Sequence, residues 1–255
     1  MASPLQQFEI EPIIALNLGN FDVSFTNSTL FMVVTLVSIW IFMLGGMSGA
    51  KLVPGRWQAA VESVYEFVLG TLHQTVGAEG KKFVPLIFSL FMFILFANLL
   101  GLLPLGLIPG GHAFTVTSHL SVTAFLAVIA FGTVLAVGFA RHGLHFFSLF
   151  VPHGVPWWMM PLIVPVEMVS FMIRPFSLAL RLFVAMTAGH ILVKVLGGFV
   201  VDMGSSGNAL LAAGGVLPLA LLVGISALEM LVCAIQAYVF ALLTSVYLND
   251  AVNLH

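Results

Sequence analysis

Long runs of apolar residues alternate with short polar breaks along most of the chain. A helix that crosses the hydrocarbon of a bilayer needs about 20 predominantly apolar residues. Five runs reach that length, and we predict spanning helices at residues 29–47, 83–105, 116–140, 161–200 and 209–248. The expected fold class is therefore an all-α integral membrane protein, with a tail at residues 1–28 and a single membrane domain at residues 29–255.

The segment at residues 57–76 has a different pattern. Glu62 and Glu66 lie one helical turn apart, so their charges fall on the same side of a helix. An apolar face is supplied by Val61, Val64, Tyr65, Val68 and Leu69. A charged face opposite an apolar face is typical of a helix that lies in the membrane interface. We predict an interfacial amphipathic helix here rather than a sixth span.

The last two apolar runs are about twice as long as a span requires. Each has about 40 residues, or roughly 60 Å at 1.5 Å per residue, whereas the hydrocarbon is about 30 Å thick. Neither run contains a cluster of turn residues in its middle, and Arg174-Pro175 would bend a helix rather than end it. We predict two long, steeply tilted helices that form a hairpin around residues 204–207.

Basic residues in the predicted loops all fall on one side of the membrane. With five spans, that side receives Lys51, Arg56, Lys81, Lys82 and Arg141. The tail, the loop at residues 104–112 and the turn at residues 197–207 lie on the other side and contain no Lys or Arg. Because loops rich in Lys and Arg stay inside, we expect the N-terminus outside and the C-terminus inside.

Composition supports lipid as the main solvent of this chain. Of the 255 residues, 60% are hydrophobic and 7% are charged, whereas soluble domains carry about 25% charged residues. A net charge of −2 gives no reason to expect nucleic-acid binding. The single cysteine, Cys233, excludes a disulfide framework within the chain. We expect no cofactor and no metal, since the histidines that flank the spans lack metal-ligand spacing: His112, His119, His142, His145 and His153.

Ionisable residues within the spans are the candidates for function, because a charge in hydrocarbon is costly. The two long runs contain Glu167, Arg174, Arg181, His190, Lys194 and Glu229, together with the amide Gln236. Seven residues make about two helical turns, so Glu167, Arg174 and Arg181 form one stripe. Arginine keeps its proton in proteins, so Arg181 is a permanent cation near the middle of its run. It could form a structural ion pair with a carboxylate, or it could act as an electrostatic gate.

Several of the polar residues within the spans can also be explained by a purely structural role. Glu167 could pair with Arg174 near the inner interface, or act in an ion path. Lys194 fits a side chain that snorkels to the surface, and Asn98 fits hydrogen bonding between helices. His190, Glu229 and Arg181 are harder to explain by stability, because three ionisable groups deep in paired helices would be costly.

Three classes of membrane protein can be compared with this pattern. An ion path in a larger complex explains the buried ionisable groups. An ion-coupled secondary transporter is the alternative, although many such folds have internal repeats and this chain shows none. A structural scaffold would not need Arg181 at mid-depth.

Three stretches of the sequence resemble a known family. Residues 177–190 contain Ser-Leu-Ala-Leu-Arg-Leu-Phe and Ala-Gly-His, residues 235–248 contain Ile-Gln-Ala-Tyr-Val-Phe, and residues 96–101 read Phe-Ala-Asn-Leu-Leu-Gly. Together with Thr117-Ser118-His119, they resemble subunit a of F-type ATP synthases (the ATPase A chain family) in its alphaproteobacterial and mitochondrial form. The resemblance covers most of the chain beyond about residue 25. Many members carry Asn four residues after the arginine, where this chain has Ala185.

This resemblance implies a stator subunit with two proton half-channels. Arg181 would be the essential gate that faces the carboxylate of a rotating c-ring, with Gln236 beside it. His190 and Glu229 would line the outer half-channel and Glu167 the inner one. Arg174, Asn98 and Ser177 would have supporting roles.

The resemblance also implies partners and a location. The partners would be a c-ring of small hairpin subunits, b-type subunits of a peripheral stalk, the rest of the ATP synthase, protons and membrane lipids. The chain would lie in a bacterial plasma membrane or a mitochondrial inner membrane. It would not be an enzyme on its own, since it lacks a Gly-x-x-x-x-Gly-Lys-Ser/Thr loop. The choice between H⁺ and Na⁺, the ring stoichiometry, the source, the full subunit composition and the channel lining stay open at this point.

Overall fold

A computed structural model describes residues 12–14, 17–18, 21–22, 24–103, 115–151, 157–205 and 214–253. Within these residues six α-helices follow one another: α1 (Asn27–Met47), α2 (Arg56–Thr75), α3 (Val84–Gly101), α4 (Leu120–His142), α5 (Met160–Gly204) and α6 (Val216–Val252). Short 3₁₀ segments occupy Gly77–Phe83, Val116–Ser118, Gly143–Phe150 and Trp157–Met159. Two small antiparallel ribbons precede α1, pairing β1 (Pro12–Ile14) with β4 (Phe25–Thr26) and β2 (Asn17–Leu18) with β3 (Phe21–Asp22).

Five helices of the described chain are long and apolar enough to cross a membrane, namely α1, α3, α4, α5 and α6. In α2, by contrast, Gln58, Val61, Val68 and Leu72 are buried along one face while Glu66 is exposed. These features confirm the predicted fold class, an all-α membrane protein with five spans and an amphipathic helix between the first two of them.

The two C-terminal helices are unusually long. At about 1.5 Å per residue, the 45 residues of α5 extend roughly 68 Å and the 37 residues of α6 roughly 56 Å. Hydrocarbon is about 30 Å thick, so each helix is about twice the length of a perpendicular span. Pro165 and Pro175 both lie within α5, which continues through them.

The ends of several helices differ from the predicted ones. The third span begins as a helix at Leu120 rather than at residue 116, because Val116–Ser118 form a 3₁₀ turn. α5 continues to Gly204, beyond the predicted end at residue 200, and α6 begins at Val216, after Gly214 and Gly215. Several predicted loop residues lie outside the described residues: Pro104, Pro109, Gly110, Gly111, His112, Pro152, His153, Pro156, Ser206 and Gly207.

The chain forms two compact units, each built from three segments. Unit 1 consists of Met1–Ile39, Phe93–His119 and Leu182–Gln236. Unit 2 consists of Trp40–Met92, Leu120–Arg181 and Ala237–His255.

The core of unit 2 is aromatic and aliphatic. Its buried members are Val134, Phe146, Phe171, Leu248, Ala251 and Val252. The Phe131 and Phe171 ring centroids lie 4.9 Å apart, and those of Phe150 and Phe171 lie 5.4 Å apart. Such tilted and edge-to-face pairs are favourable beyond the area that they bury. Gly138 has no side chain to collide with the ring of Phe146, so α4 can pack closely against the 3₁₀ segment that follows it.

The connection from α1 to α2 is also fixed within unit 2. The indole Nε1 of Trp57 donates a hydrogen bond of 3.0 Å to the carbonyl oxygen of Phe42. The side chain of Gln58 bonds both the N–H and the carbonyl oxygen of Lys51, each at 3.1 Å. Gly46 leaves room for Val61, so the start of α2 is held against the end of α1.

Candidate functional site

A buried His–Glu pair joins α5 to α6 within unit 1. The Nδ1 atom of His190 lies 2.7 Å from Oε1 of Glu229. The two residues are 9% and 3% exposed, respectively. One turn earlier on α5, Met186 contacts Cys233 with the two sulfur atoms 3.9 Å apart. From Met186 to His190 the chain advances four residues along α5, and from Cys233 to Glu229 it goes back four residues along α6. This spacing is expected of antiparallel helices, and it brings His190 next to Glu229.

A glycine lets the carboxylate approach α5. A Cβ atom added at Gly189 would lie 2.6 Å from Oε1 of Glu229, 2.9 Å from its Cδ and 3.2 Å from its Cγ. Distances below 3.0 Å are not sustained in folded proteins without a shift of one partner. The absence of a side chain at Gly189 therefore leaves the space that Glu229 occupies.

The other ring nitrogen of His190 has a partner as well. Its Nε2 is in hydrogen-bond contact with the hydroxyl of Thr115, which is 4% exposed. Thr115 immediately precedes the 3₁₀ turn at Val116–Ser118. We did not predict this contact from the sequence. In the sequence, the contact between Thr115 and His190 is indicated only by the cluster of hydroxyl residues at positions 115, 117 and 118, just before α4.

Asn98 forms a second buried polar contact in unit 1. Its side chain is completely buried, and its Oδ1 accepts a hydrogen bond of 2.6 Å from the hydroxyl of Thr117. Its Nδ2 donates to the backbone carbonyl of Cys233 at 3.4 Å. Asn98 therefore hydrogen-bonds between helices, which is the structural interpretation that the sequence offered. Cys233 itself is a buried free thiol.

Unit 2 contains the partner of Arg174, which is Asp250 near the end of α6. The guanidinium Nη1 lies 2.8 Å from Oδ2 of Asp250, and the guanidinium also stands 4.9 Å from the ring of Tyr247 and 5.4 Å from that of Phe171. The pairing of Arg174 with Glu167, one of the two interpretations of that glutamate, is not the one in the structure. Ser177 donates from Oγ to the carbonyl oxygen of Arg174 at 3.1 Å.

Arg181 is placed differently from Arg174. It is exposed, and within the described part of the chain no carboxylate lies within ion-pair distance of it. The part of α5 that precedes it in sequence carries the exposed apolar residues Ile173, Phe176 and Leu180. A permanent cation on an apolar surface is costly in a membrane unless a counter-charge or water reaches it.

The remaining predicted site residues have intermediate burial. Glu167 in unit 2 and Gln236 in unit 1 are each half-buried, and Lys194 is exposed. In the described residues no group of three or more His, Cys, Asp and Glu could hold a metal ion.

Comparison of the sequence with known proteins identifies the family of this chain. The pattern of the ATP synthase A chain family matches residues 28–249, which contain all of the candidate residues above. The chain belongs to the ATP synthase A chain family. It is 60% identical over 254 residues to ATP synthase subunit a of Rhizorhabdus wittichii, covering 99% of this chain and 97% of the relative.

Further members of the ATP synthase A chain family align over the same length. The subunit a of Sphingopyxis alaskensis is 60% identical over 255 residues, covering 99% of this chain and 97% of the relative. That of Rhodospirillum rubrum is 46% identical over 255 residues, with both chains fully covered. Membership makes this chain a multi-pass membrane subunit of an ATP synthase, whose nucleotide catalysis resides in other subunits. The transporter alternative is therefore wrong.

Proposed function

We propose that this chain is the stator subunit that carries protons to and from a rotating ring of c-subunits, with Arg181 as the electrostatic gate. The observation that supports this role best is the exposure of Arg181 on a largely apolar helix, with no carboxylate of the described chain paired to it. A cation in that setting needs a counter-charge from elsewhere. A carboxylate on a neighbouring rotor would supply it.

The gate follows from the chemistry of the two side chains. Arginine does not lose its proton, so a ring carboxylate that comes close to Arg181 is favoured in its ionised form. The same positive charge repels a proton that would pass straight from one half-channel to the other. Protons then cross only when they are carried on the ring. Each charge that moves through the membrane potential releases about 2.3 kcal/mol per 100 mV, and this energy turns the ring.

The buried pair of His190 and Glu229 provides the outer half-channel in this proposal. Both side chains can bind and release protons. Nδ1 and Oε1 lie 2.7 Å apart, within ion-pair distance, and this proximity supports proton exchange between the two groups. Gln236 contributes an amide to the proton path, and Glu167 serves the inner half-channel. Arg174, Asn98 and Ser177 support the helices that carry these groups.

We further propose the surroundings of the chain. The c-ring and b-type subunits of a peripheral stalk are its direct partners. The excess of Lys and Arg in one set of loops places the C-terminus inside and the N-terminus outside. The membrane is a bacterial plasma membrane or a mitochondrial inner membrane.

The deciding experiment replaces the gate in the assembled ATP synthase. In inverted membrane vesicles, Arg181→Ala should reduce ATP-driven proton pumping to background while the complex still assembles. Arg56→Ala removes an exposed cation at the start of α2 and is the matched control, with pumping at the parental rate. Normal ATP-driven pumping by Arg181→Ala would show that Arg181 is not the gate.

A further inference from the structure

We propose that Thr115 is a positioning residue of the proton path, whose hydroxyl holds the imidazole of His190 so that Nδ1 faces Glu229. This inference rests on the proposed function and extends it to a residue that neither charge nor helical periodicity indicates. Thr115 does not exchange protons with the path in this role; it acts through His190.

Each imidazole nitrogen has a close polar neighbour: a hydrogen-bonded hydroxyl at Nε2 and, within ion-pair distance of Nδ1, a carboxylate whose oxygens have no hydrogen-bond partner among the described residues. Nε2 contacts the hydroxyl of Thr115, and Nδ1 lies 2.7 Å from Oε1 of Glu229. Thr115, His190 and Glu229 are all at least nine-tenths buried. A rotation of the ring that exchanged the two nitrogens would break both contacts in a place with little access to water. Loss of the hydrogen bond at Nε2 would leave a buried polar atom unpaired, which is costly, so this bond holds the ring with Nδ1 next to the carboxylate.

A hydroxyl suits a histidine that changes its protonation state, because it can both donate and accept a hydrogen bond. When the imidazolium gives its Nδ1 proton to Glu229, the N–H bond breaks and an O–H bond forms on the carboxylate. The ring keeps its Nε2–H, which donates to the oxygen of Thr115 before and after the transfer. In the other neutral tautomer, with the proton on Nδ1, the hydroxyl of Thr115 donates to Nε2. The ring therefore keeps one orientation in all three states.

The position of Thr115 is itself held from two sides. Ser118 donates to the carbonyl oxygen of Thr115 from its backbone N–H at 3.2 Å and from its hydroxyl at 2.6 Å. Thr187, about one turn before His190 on α5, donates to the carbonyl oxygen of Ser118 at 3.4 Å. These bonds anchor the 3₁₀ turn on the same helix that carries the imidazole.

Gly101 makes room for this arrangement at the end of α3. A Cβ atom at Gly101 would collide with the hydroxyl of Thr115 and would lie 2.7 Å from its Cγ2 and 2.9 Å from its Cβ. Gly101 and Gly189 thus leave space at the two ends of the chain of contacts from Thr115 through His190 to Glu229. We expect Gly101→Ala to displace Thr115 and to lower proton flux in the same direction as loss of the hydroxyl.

The test compares two substitutions of Thr115 in the complete ATP synthase. Thr115→Val keeps the shape and removes the hydroxyl, whereas Thr115→Ser keeps the hydroxyl and removes one methyl group. ATP-driven proton pumping in vesicles is normalised to the amount of this chain in the membrane. We expect about a fivefold or larger fall for Thr115→Val, from loss of one hydrogen bond worth about 1 kcal/mol, and a rate within about twofold of the parent for Thr115→Ser.

A matched control is Thr244→Val, since Thr244 is buried and its hydroxyl donates to the carbonyl oxygen of Phe240 in its own helix. It should pump at the parental rate. If Thr115→Val pumps normally, or if Thr115→Ser is as slow as Thr115→Val, the hydroxyl does not position His190 and the inference is wrong. If Thr115→Val does not assemble, the smaller Thr115→Ala replaces it in the same comparison, with the same expected fall.

The Arg181→Ala and Thr115→Val variants together distinguish failure of this inference from failure of the proposed function on which it rests. Loss of pumping in Arg181→Ala together with a normal rate in Thr115→Val would refute the role of Thr115 and leave the gate intact. Normal pumping in Arg181→Ala would instead refute the proposed function itself.

Discussion

Nδ1 of His190 and Oε1 of Glu229 are 2.7 Å apart, and both side chains are almost completely withdrawn from solvent. Removal of one partner leaves the other in a poorly solvated place, which is costly. The pair should therefore respond to substitution as a unit, and several consequences can be measured.

Glu229→Gln should slow proton flux with little loss of assembled complex. Glutamine has nearly the shape of glutamate and can keep a polar group next to His190, but its amide cannot bind and release a proton. ATP-driven pumping measured from acidic to alkaline pH should fall at every pH. The conservative Glu229→Asp keeps a titratable group and should retain more flux than Glu229→Gln. Flux equal to that of the parent across the pH range would make Glu229 a structural residue.

Gly189→Ala should lower proton flux because the new methyl group occupies the place of the carboxylate. Its carbon would meet Oε1 of Glu229 at 2.6 Å and Cδ at 2.9 Å, and the flexible side chain of Glu229 would have to move away from His190. Pumping at the parental rate in Gly189→Ala would mean that the exact contact of the pair is not required.

Gly197→Ala is the matched control for that substitution. Gly197 lies in the same helix, and a Cβ atom there would meet no heavy atom within 4 Å. In a helix interior, alanine is favoured over glycine by about 1 kcal/mol. Gly197→Ala should therefore pump normally, and the difference between the two alanine variants isolates the contact with Glu229.

Two signals account for most of what the sequence could predict: the length of the apolar runs and the ionisable residues within them. The five spans, the amphipathic α2 and the two long helices follow from the length of each run and from the absence of turn residues within it. Arg181, His190 and Glu229 were identifiable because ionisable residues are rare in hydrocarbon. These signals are local, since each depends on a residue type and its immediate neighbours.

Contacts between distant segments were not predictable in the same way. Helical spacing suggested Glu167 as the partner of Arg174, yet the partner is Asp250, 76 residues away. The contact between Thr115 and His190 spans 75 residues, and a threonine near the start of a span is unremarkable by composition. The paired strands before α1 have only two or three residues each, too few to show an alternating pattern.

Asp250→Asn should destabilise unit 2 modestly. The amide loses the charge that attracts Arg174, although the cation keeps its contacts with the rings of Phe171 and Tyr247. Since the two side chains are 25% and 31% exposed, we expect a loss of about 1 kcal/mol or less. The tryptophan fluorescence of the chain on heating measures the change, because all four tryptophans lie in unit 2: Trp40, Trp57, Trp157 and Trp158.

Asp202→Asn provides the comparison for Asp250→Asn. Asp202 is exposed near the end of α5, and neutralising it should leave the thermal change in tryptophan fluorescence as in the parent. Equal effects of the two substitutions, or none for Asp250→Asn, would show that the Arg174–Asp250 pair contributes nothing measurable to stability.

Asn98 and Thr117 should show strong coupling in a double-mutant cycle. Each is completely buried, and the hydroxyl of Thr117 donates to Oδ1 of Asn98 at 2.6 Å. Asn98→Leu leaves that hydroxyl without its acceptor, and Thr117→Val leaves the amide oxygen without its donor. Either single change should cost about 1–3 kcal/mol. The double variant removes both polar groups at once, so its cost should be smaller than the sum by at least about 0.5 kcal/mol.

The same cycle separates a structural role of Asn98 from a role in the proton path. Stability is read from the rate at which a maleimide labels Cys233 on heating, and function from ATP-driven pumping per assembled complex. If Asn98 only joins the helices, the double variant should recover stability and pumping together relative to Asn98→Leu. Recovered stability with pumping still low would assign Asn98 to the path, because the packing would then be restored and only the polar groups would be missing. Additive costs in stability would contradict the coupling that the 2.6 Å hydrogen bond predicts.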